Sequence, residues 1–269
     1  MENFEMFKVA FYRQVPQVAA AADNLVQLYN QVTQQNLDGE LEIEAFFGKY
    51  VDGRFSNNIS PAIIDVVGNL LDQCAVWRDQ KDWHLIYDYY TEDGHRIRMV
   101  NPENVSVIKK VRLGHVDLSY GKPNPSWELT NHLTRVTLKL EQPVEMKHSL
   151  IPFVSAKLSM RKTYELVSGN CPGVIWRYEL CKYWVAPTMQ ELEHQVQTEP
   201  PSLCLECEVL NSMETLSEKK KYILFAALLL KMEDFLAVPV ARMVANRETQ
   251  PPVALPSFLV QAQENFLSS

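Results

Sequence analysis

The feature that most constrains this chain is strand parity: in one extended segment after another, apolar and charged residues alternate. In Arg135-Val-Thr-Leu-Lys-Leu-Glu141, one face carries Arg135, Thr137, Lys139 and Glu141, and the other Val136, Leu138 and Leu140. Arg96 and Arg98 alternate in the same way with Ile97 and Met99, Lys110 shares a face with Arg112, Lys157 with Ser159 and Arg161, and Arg177 with Glu179. Successive side chains of a β-strand point to opposite faces, so each of these strands has one apolar side and one charged side. Two further segments pair acids: Glu42 with Glu44 in ELEIEAFFG, and Glu206 with Glu208 in LCLECEVL. Four carboxylates on paired strands repel unless something positive lies among them. Oxygen-only donors of this kind suit a hard divalent cation, Mg²⁺ or Mn²⁺.

Around these strands the pattern is helical. Residues 16–35 carry alanine, leucine and valine at helical spacing. Ser60-Pro61, an N-cap followed by proline at the first helical position, opens a second helix running to about Trp77. Strands are predicted at 83–91, 96–100, 105–118, 129–141, 153–167, 174–185 and 203–210, with a turn at Glu92-Asp93-Gly94, a short helix at 188–196 and a long one at 213–236. With the first glutamate strand this makes about eight strands in up-and-down order. The expected fold is mainly β (α+β): an eight-stranded antiparallel β-barrel forming a hydrophilic tunnel, with flanking helices. Residues 1–236 read as a single barrel domain and 237–269 as a Pro-rich tail.

The alternation alone would also serve a sheet with one face in water. Two observations point the charge inward instead. The helices have apolar faces that need a sheet to cover, which turns the apolar strand faces outward. The charges are also sorted, with paired glutamates on the first and last strands and arginine and lysine on the middle ones. The terminal strands of a closed antiparallel barrel lie near each other, so acid would gather on one wall and base on the other. That arrangement suits a chain of phosphates: the basic wall holds phosphate oxygens, the acidic wall holds a metal, and a remaining carboxylate orients water.

Bulk properties exclude several classes. A net charge of −7 over 269 residues argues against a broad nucleic-acid-coating surface. The apolar run Tyr222 to Leu230 is bounded by lysines and is far shorter than the ~20 residues of a membrane span. The N-terminus shows no secretory pattern, and five cysteines without framework spacing suit a reducing compartment. Cys204 and Cys207 form a CxxC, but in a strand they point to opposite faces, and no second pair completes a zinc site. No nucleophile elbow or P-loop is present.

The segments ELEIEAFFG with a following GRF, YYTEDGHRIR, KKVRLGHVDL, TRVTLKLEQPV, MRKTYEL, WRYEL and LECEV, in this order, resemble the metal-dependent RNA 5′-triphosphatases of mRNA capping. These are the fungal, protozoan and large-DNA-virus type within the triphosphate tunnel metalloenzymes, and the resemblance spans about Glu40 to Leu236. It implies hydrolysis of the γ-phosphate of 5′-triphosphate RNA, the first step of capping, with Mg²⁺ or Mn²⁺ as cofactor. By the same resemblance Glu42, Glu44 and Glu208 match metal ligands, and Glu206, Glu179 and Glu141 match acidic positions expected to be catalytic. Arg98, Lys110 and Arg161 match phosphate-binding positions, to which the reading by strand face adds Arg112, Arg135 and Lys157. Expected partners are a triphosphate RNA end, an mRNA guanylyltransferase and a second copy in a homodimer, without a membrane. The expected location is intracellular, in the nucleus or at a viral, cytoplasmic transcription site.

The chain departs from the family pattern at Cys204, where a first glutamate would stand, and at Ser159, where lysine is frequent. A rival is the small-molecule branch of the superfamily, acting on tripolyphosphate or on nucleoside or thiamine triphosphate. Its members begin ExExK, whereas Phe46 follows here. From another class, a non-catalytic capping-complex interaction protein would be expected to lose acids that this chain keeps.

Overall fold

A computed structural model describes residues 2–35, 37–74, 76–101, 104–119, 132–145, 152–168, 171, 173–210 and 213–247, with side chains described from Phe4 to Phe235. The elements run α1 (Glu2–Gln14), α2 (Pro16–Thr33), β1 (Glu40–Val51), β2 (Arg54–Ser56), α3 (Pro61–Gln73), β3 (Asp79–Thr91), β4 (His95–Asn101) and β5 (Asn104–Ser119). They continue with β6 (Leu133–Pro143), β7 (Phe153–Val167), β8 (Ile175–Ala186), α4 (Met189–Thr198), β9 (Ser202–Leu210) and α5 (Glu218–Arg247).

Every strand pairing is antiparallel, and the sheet closes on itself because β1 bonds to both β6 and β9. The result is a closed eight-strand barrel with β2 as an extra strand hairpinned onto β1. The order around the barrel is β1-β6-β5-β4-β3-β7-β8-β9, which corrects the up-and-down expectation. Two meanders, β3 to β6 and β7 to β9, join through β3–β7, and β1 wedges between their free edges. Alternation tells which way a side chain points and is silent on which strand lies alongside.

The barrel is built inside out. Ile43 and Ala45 of β1, Val136 and Leu138 of β6, Tyr178 and Leu180 of β8, and Leu205, Cys207 and Val209 of β9 belong to one core with Leu25 and Tyr29 of α2, Ile63 and Val67 of α3, and Phe225 and Leu229 of α5. That core lies between the outer barrel wall and the helices, so opposite-parity side chains turn into the bore. Proline at the start of α2 and α3 presets the helical φ, and the Thr188 hydroxyl accepts from the Glu191 N–H at 3.2 Å to cap α4.

Some elements differ from expectation. Helix α1 was not predicted, yet Phe4, Phe7 and Phe11 fall on one helical face and pack edge-on against Tyr222 of α5, with centroids 5.8–6.3 Å away. Asp52 and Gly53 both have positive φ, making the two-residue turn that pairs β2 with β1. Helix α3 stops before Trp77, whose indole N–H donates to the Leu71 carbonyl at 2.7 Å. Helix α5 starts after 213 and continues to Arg247, past the boundary drawn at 236. Residues 129–131 of a predicted strand and 248–269 of the predicted tail lie outside the described residues.

Candidate active site

Among the described residues, six carboxylates, Glu42, Glu44, Glu141, Glu179, Glu206 and Glu208, line a chamber of about 410 Å³ in the bore. Seven cations face them: Arg96, Arg98, Lys110, Lys139, Lys157, Arg161 and Arg177. Four of the acids come from neighbouring β1 and β9, where Glu44 and Glu208 are direct cross-strand partners. The cations come from β4 through β8, as the sorting of charge along the sequence required. Toward the Glu40 and Leu210 end, a second chamber of about 340 Å³ shares Glu42, Glu141, Arg177 and Glu208 with the first.

Most charges meet a partner across the bore. Lys110 Nζ lies 2.5 Å from Glu42, 2.5 Å from Glu141 and 3.3 Å from Glu44, while Lys139 pairs with Glu44 and Arg161 with Glu179. Arg177 spans Glu165 at 2.8 Å and Glu208 at 3.3 Å. Burial would raise the Glu42 carboxyl, but the charge and hydrogen bond of Lys110, with Lys139 and Arg96, hold it below its ordinary value. On β9 the balance is reversed. Burial and then repulsion from Glu179 push Glu206 up, and burial with the repulsion of Glu206 and Glu42 pushes Glu208 up to about 8. These two carboxylates are short of positive charge.

Beneath the cations lies an acid that the sequence reading did not select. Asp88 is 1% exposed and accepts from Arg98 Nε at 2.8 Å and Nη2 at 3.1 Å, with Arg96 Nε at 3.8 Å. Arg96 Nε is buried and makes no hydrogen bond to the protein. Asp88 stands in WHLIYDYYT as the acid on the same strand face as Tyr90, so the parity that found the arginines would have found it too. Arg96, Lys139 and Arg177, read from the sequence as charged-face residues, also line the chamber.

Two expected phosphate ligands lie elsewhere. Arg112 is exposed and outside the chamber lining, where a bulge between Arg112 and Gly114 interrupts the β5–β6 register. Arg135 binds Asp117 at 2.7 and 2.8 Å and the Tyr50 hydroxyl at 2.6 Å, and lies over the Phe55 ring at 4.1 Å. It is committed to the other end of the barrel. Lys157 Nζ sits over the Tyr183 ring at 4.4 Å on the chamber wall, and the Ser159 hydroxyl, buried behind it, accepts from Arg161 Nε at 3.5 Å. Cys204 lines the chamber opposite Cys181.

The donor set of Glu42, Glu44 and Glu208 fits a hard divalent cation. Its atoms are all oxygens, and the carboxyl held near 8 is one for which added positive charge is favourable. Among the described residues no three acids, histidines or cysteines already stand as a ready-made ligand group. Lys110 and Lys139 hold Glu42 and Glu44 instead.

The closed antiparallel barrel, with acids on one wall and cations on the other, has the fold of RNA triphosphatases of known structure. The S. pombe Pct1 RNA triphosphatase superimposes with a TM-score of 0.58 and 16% identity, covering 81% of this chain and 91% of that one. The same protein in complex with the Spt5 CTD gives 0.58 and 14% over 81% and 92%. A mimivirus capping enzyme triphosphatase gives a TM-score of 0.47 and 13% identity over 78% and 96%. No protein-family model and no curated sequence matches the chain. Among the described residues no helix is long and apolar enough to cross a membrane.

Proposed function

We propose that this barrel is a metal-dependent RNA 5′-triphosphatase, releasing the γ-phosphate of triphosphate-ended RNA to leave the diphosphate end that capping requires. The observation that carries this reading is the chamber itself: an enclosed bore in which seven cations face six carboxylates, two of them short of positive charge. A solvated sheet face has no reason to enclose such groups, since charge removed from water is stable only when it is paired or ligated.

The residues divide by chemistry. Arg98, Lys110, Lys157 and Arg161, joined by Arg96, Lys139 and Arg177, would bind the phosphate oxygens. Arg96 Nε, which makes no hydrogen bond to the protein, offers a donor without breaking one. Asp88 fixes Arg98 and is a positioning residue. Glu42, Glu44 and Glu208 would hold Mg²⁺ or Mn²⁺, which supplies charge to the γ-phosphoryl oxygens and acidity to water. Glu206 and Glu179, direct cross-strand partners on the chamber wall, would accept a proton from the attacking water, and Glu141 holds Lys110. Positioning and electrostatics supply most of the rate in phosphoryl transfer, and this chamber offers both.

The test is timed release of phosphate from γ-labelled triphosphate RNA, with EDTA and with Mg²⁺ or Mn²⁺ restored. Release that EDTA stops and metal restores is expected. No release under any metal, or release indifferent to EDTA, would refute the reading. A guanylyltransferase partner and a nuclear or viral transcription site belong to the same proposal and follow from the place of this reaction in capping.

A further inference from the structure

Two thiols face each other across the chamber wall. Cys181 of β8 and Cys204 of β9 are direct cross-strand partners, and both line the chamber although their residues are only 2% and 3% exposed. They lie two residues along the strands, on the same face, from Glu179 and Glu206, which are likewise cross-strand partners. Cys171 and Cys207 belong instead to the apolar core outside the barrel, and Cys74 is exposed.

Directly opposed residues of an antiparallel pair have Cβ atoms ~4.5–5.5 Å apart, and a disulfide requires ~3.5–4.5 Å, so a small closure joins them. The Cys204 side chain, with Arg161 and Lys157 nearby, holds the Cys181 thiol below its usual range against the effect of burial, while Cys204 itself is pushed up. Two directly opposed thiols on the wall of a chamber lined by Arg161 and Lys157 are the arrangement of a redox pair rather than of separate structural cysteines.

We propose that Cys181 and Cys204 form a reversible redox pair, which a peroxide oxidises to an intrachain disulfide that switches off the phosphohydrolase chamber; this inhibitory effect rests on the proposed function. The Cys181 thiolate attacks one peroxide oxygen, the O–O bond breaks, and the departing hydroxide takes the Cys204 proton to leave as water. The Cys204 thiolate then attacks the Cys181 sulfenic sulfur and expels hydroxide, which takes a solvent proton. Two thiols and one hydrogen peroxide thus give one disulfide and two waters. The new bond draws β8 and β9 together two residues from Glu179 and Glu206. A misplacement of about 1 Å at reacting groups costs on the order of 100-fold in rate.

The test uses the full chain, reduced and then treated with hydrogen peroxide. Intact mass and peptide mapping after alkylation read the bond, tripolyphosphate binding by calorimetry reads the chamber, and phosphate release reads turnover. Expected results are a Cys181–Cys204 cross-linked peptide, weaker tripolyphosphate binding and about 100-fold slower release, all reversed by dithiothreitol. C181S and C204S should each keep their own untreated rate under peroxide, whereas C74S should respond like the parent chain. No bond, a bond to another cysteine, or a Cys181–Cys204 bond that leaves both binding and release unchanged would overturn the proposal. A reduced protein that releases no phosphate would count against the triphosphatase reading, while mass and calorimetry would still decide the thiol pair.

Discussion

The replacement Asp88→Asn tests whether the bore is a true low-dielectric site or a wet groove. Asp88 is 1% exposed, and its two hydrogen bonds to Arg98, at 2.8 and 3.1 Å, form a fork on a guanidinium that is itself 23% exposed. Removing one partner of a buried pair costs about 3–5 kcal/mol, because the other charge is left uncompensated. Asparagine keeps an oxygen for one of the two N–H donors, which places the expected loss near the lower end, about 3 kcal/mol. At ~2–4 °C per kcal/mol for a chain of this size, the melting temperature should fall by roughly 6–12 °C. Denaturant unfolding of Asp88→Asn, Arg98→Gln and the double variant measures the loss, and the double should cost less than the two singles summed. The acid limb provides a second reading. Burial pushes the Asp88 carboxyl up, but the hydrogen bond and charge of Arg98, then Arg96 and Arg161, outweigh it and hold the group below its ordinary value. Its folded pKa is thus below its unfolded one, so its stabilisation is complete above about pH 4 and is lost as pH falls through the folded value. Asp88→Asn should flatten that part of the stability profile. A loss under about 1 kcal/mol with additive singles would mean that water screens the pair, and the enclosed-chamber reasoning would fail.

Glu208→Gln should leave the fold intact and slow phosphate release by at least about 100-fold, roughly 2.7 kcal/mol of barrier. It should also abolish any rise in melting temperature on adding Mn²⁺, which differential scanning measures directly. Gly48→Ala should destabilise by about 1–3 kcal/mol in denaturant titration, because its new Cβ would lie 2.4 Å from the Ser56 carbonyl oxygen and 2.5 Å from the Phe55 ring. Gly114→Ala should cost less, since there the 2.7 Å neighbour is the flexible end of Leu28. Leu138→Ala, which empties the fully buried centre of the outer core, should cost about 2–5 kcal/mol by the same measurement.

How much was legible in the sequence follows from what each signal encodes. Parity fixes a face, so the placement of Glu42, Glu44, Lys110, Arg161, Glu179, Glu206 and Glu208 around one bore followed from counting alternate residues. Parity does not fix height along the barrel or behaviour past a bulge. Arg112 and Arg135 therefore share a face with the chamber residues of their strands yet lie outside the lining, one exposed and the other forked onto Asp117. Asp88 escaped because it is a lone acid among aromatics rather than a repeated pair. Helix α1 escaped because its phenylalanine spacing draws its meaning from Tyr222, a partner more than two hundred residues away. The insertion of β1 between β6 and β9 had no local signal, since neighbour order is decided by closure of the whole sheet.

Closure also bears on the small-molecule rival. There the first strand carries a lysine two places after its second glutamate, and here that position is Phe46. Phe46 lines the chamber, and Lys139 of the neighbouring β6 lies with its Nζ 5.2 Å from the ring centroid. A cation therefore stands beside the ring, contributed by the next strand instead of by β1 itself. Charge in the chamber is thus no basis for choosing between a triphosphate on RNA and a free tripolyphosphate. What separates them is the nucleotide beyond the phosphates. The chambers of about 410 and 340 Å³ share Glu42, Glu141, Arg177 and Glu208, and the same charged lining would face the phosphates of either substrate. Parallel rates on triphosphate RNA, ATP and tripolyphosphate place the selectivity. Faster turnover of RNA would put it in contacts outside the bore, and equal turnover would put all recognition in the charges that line it.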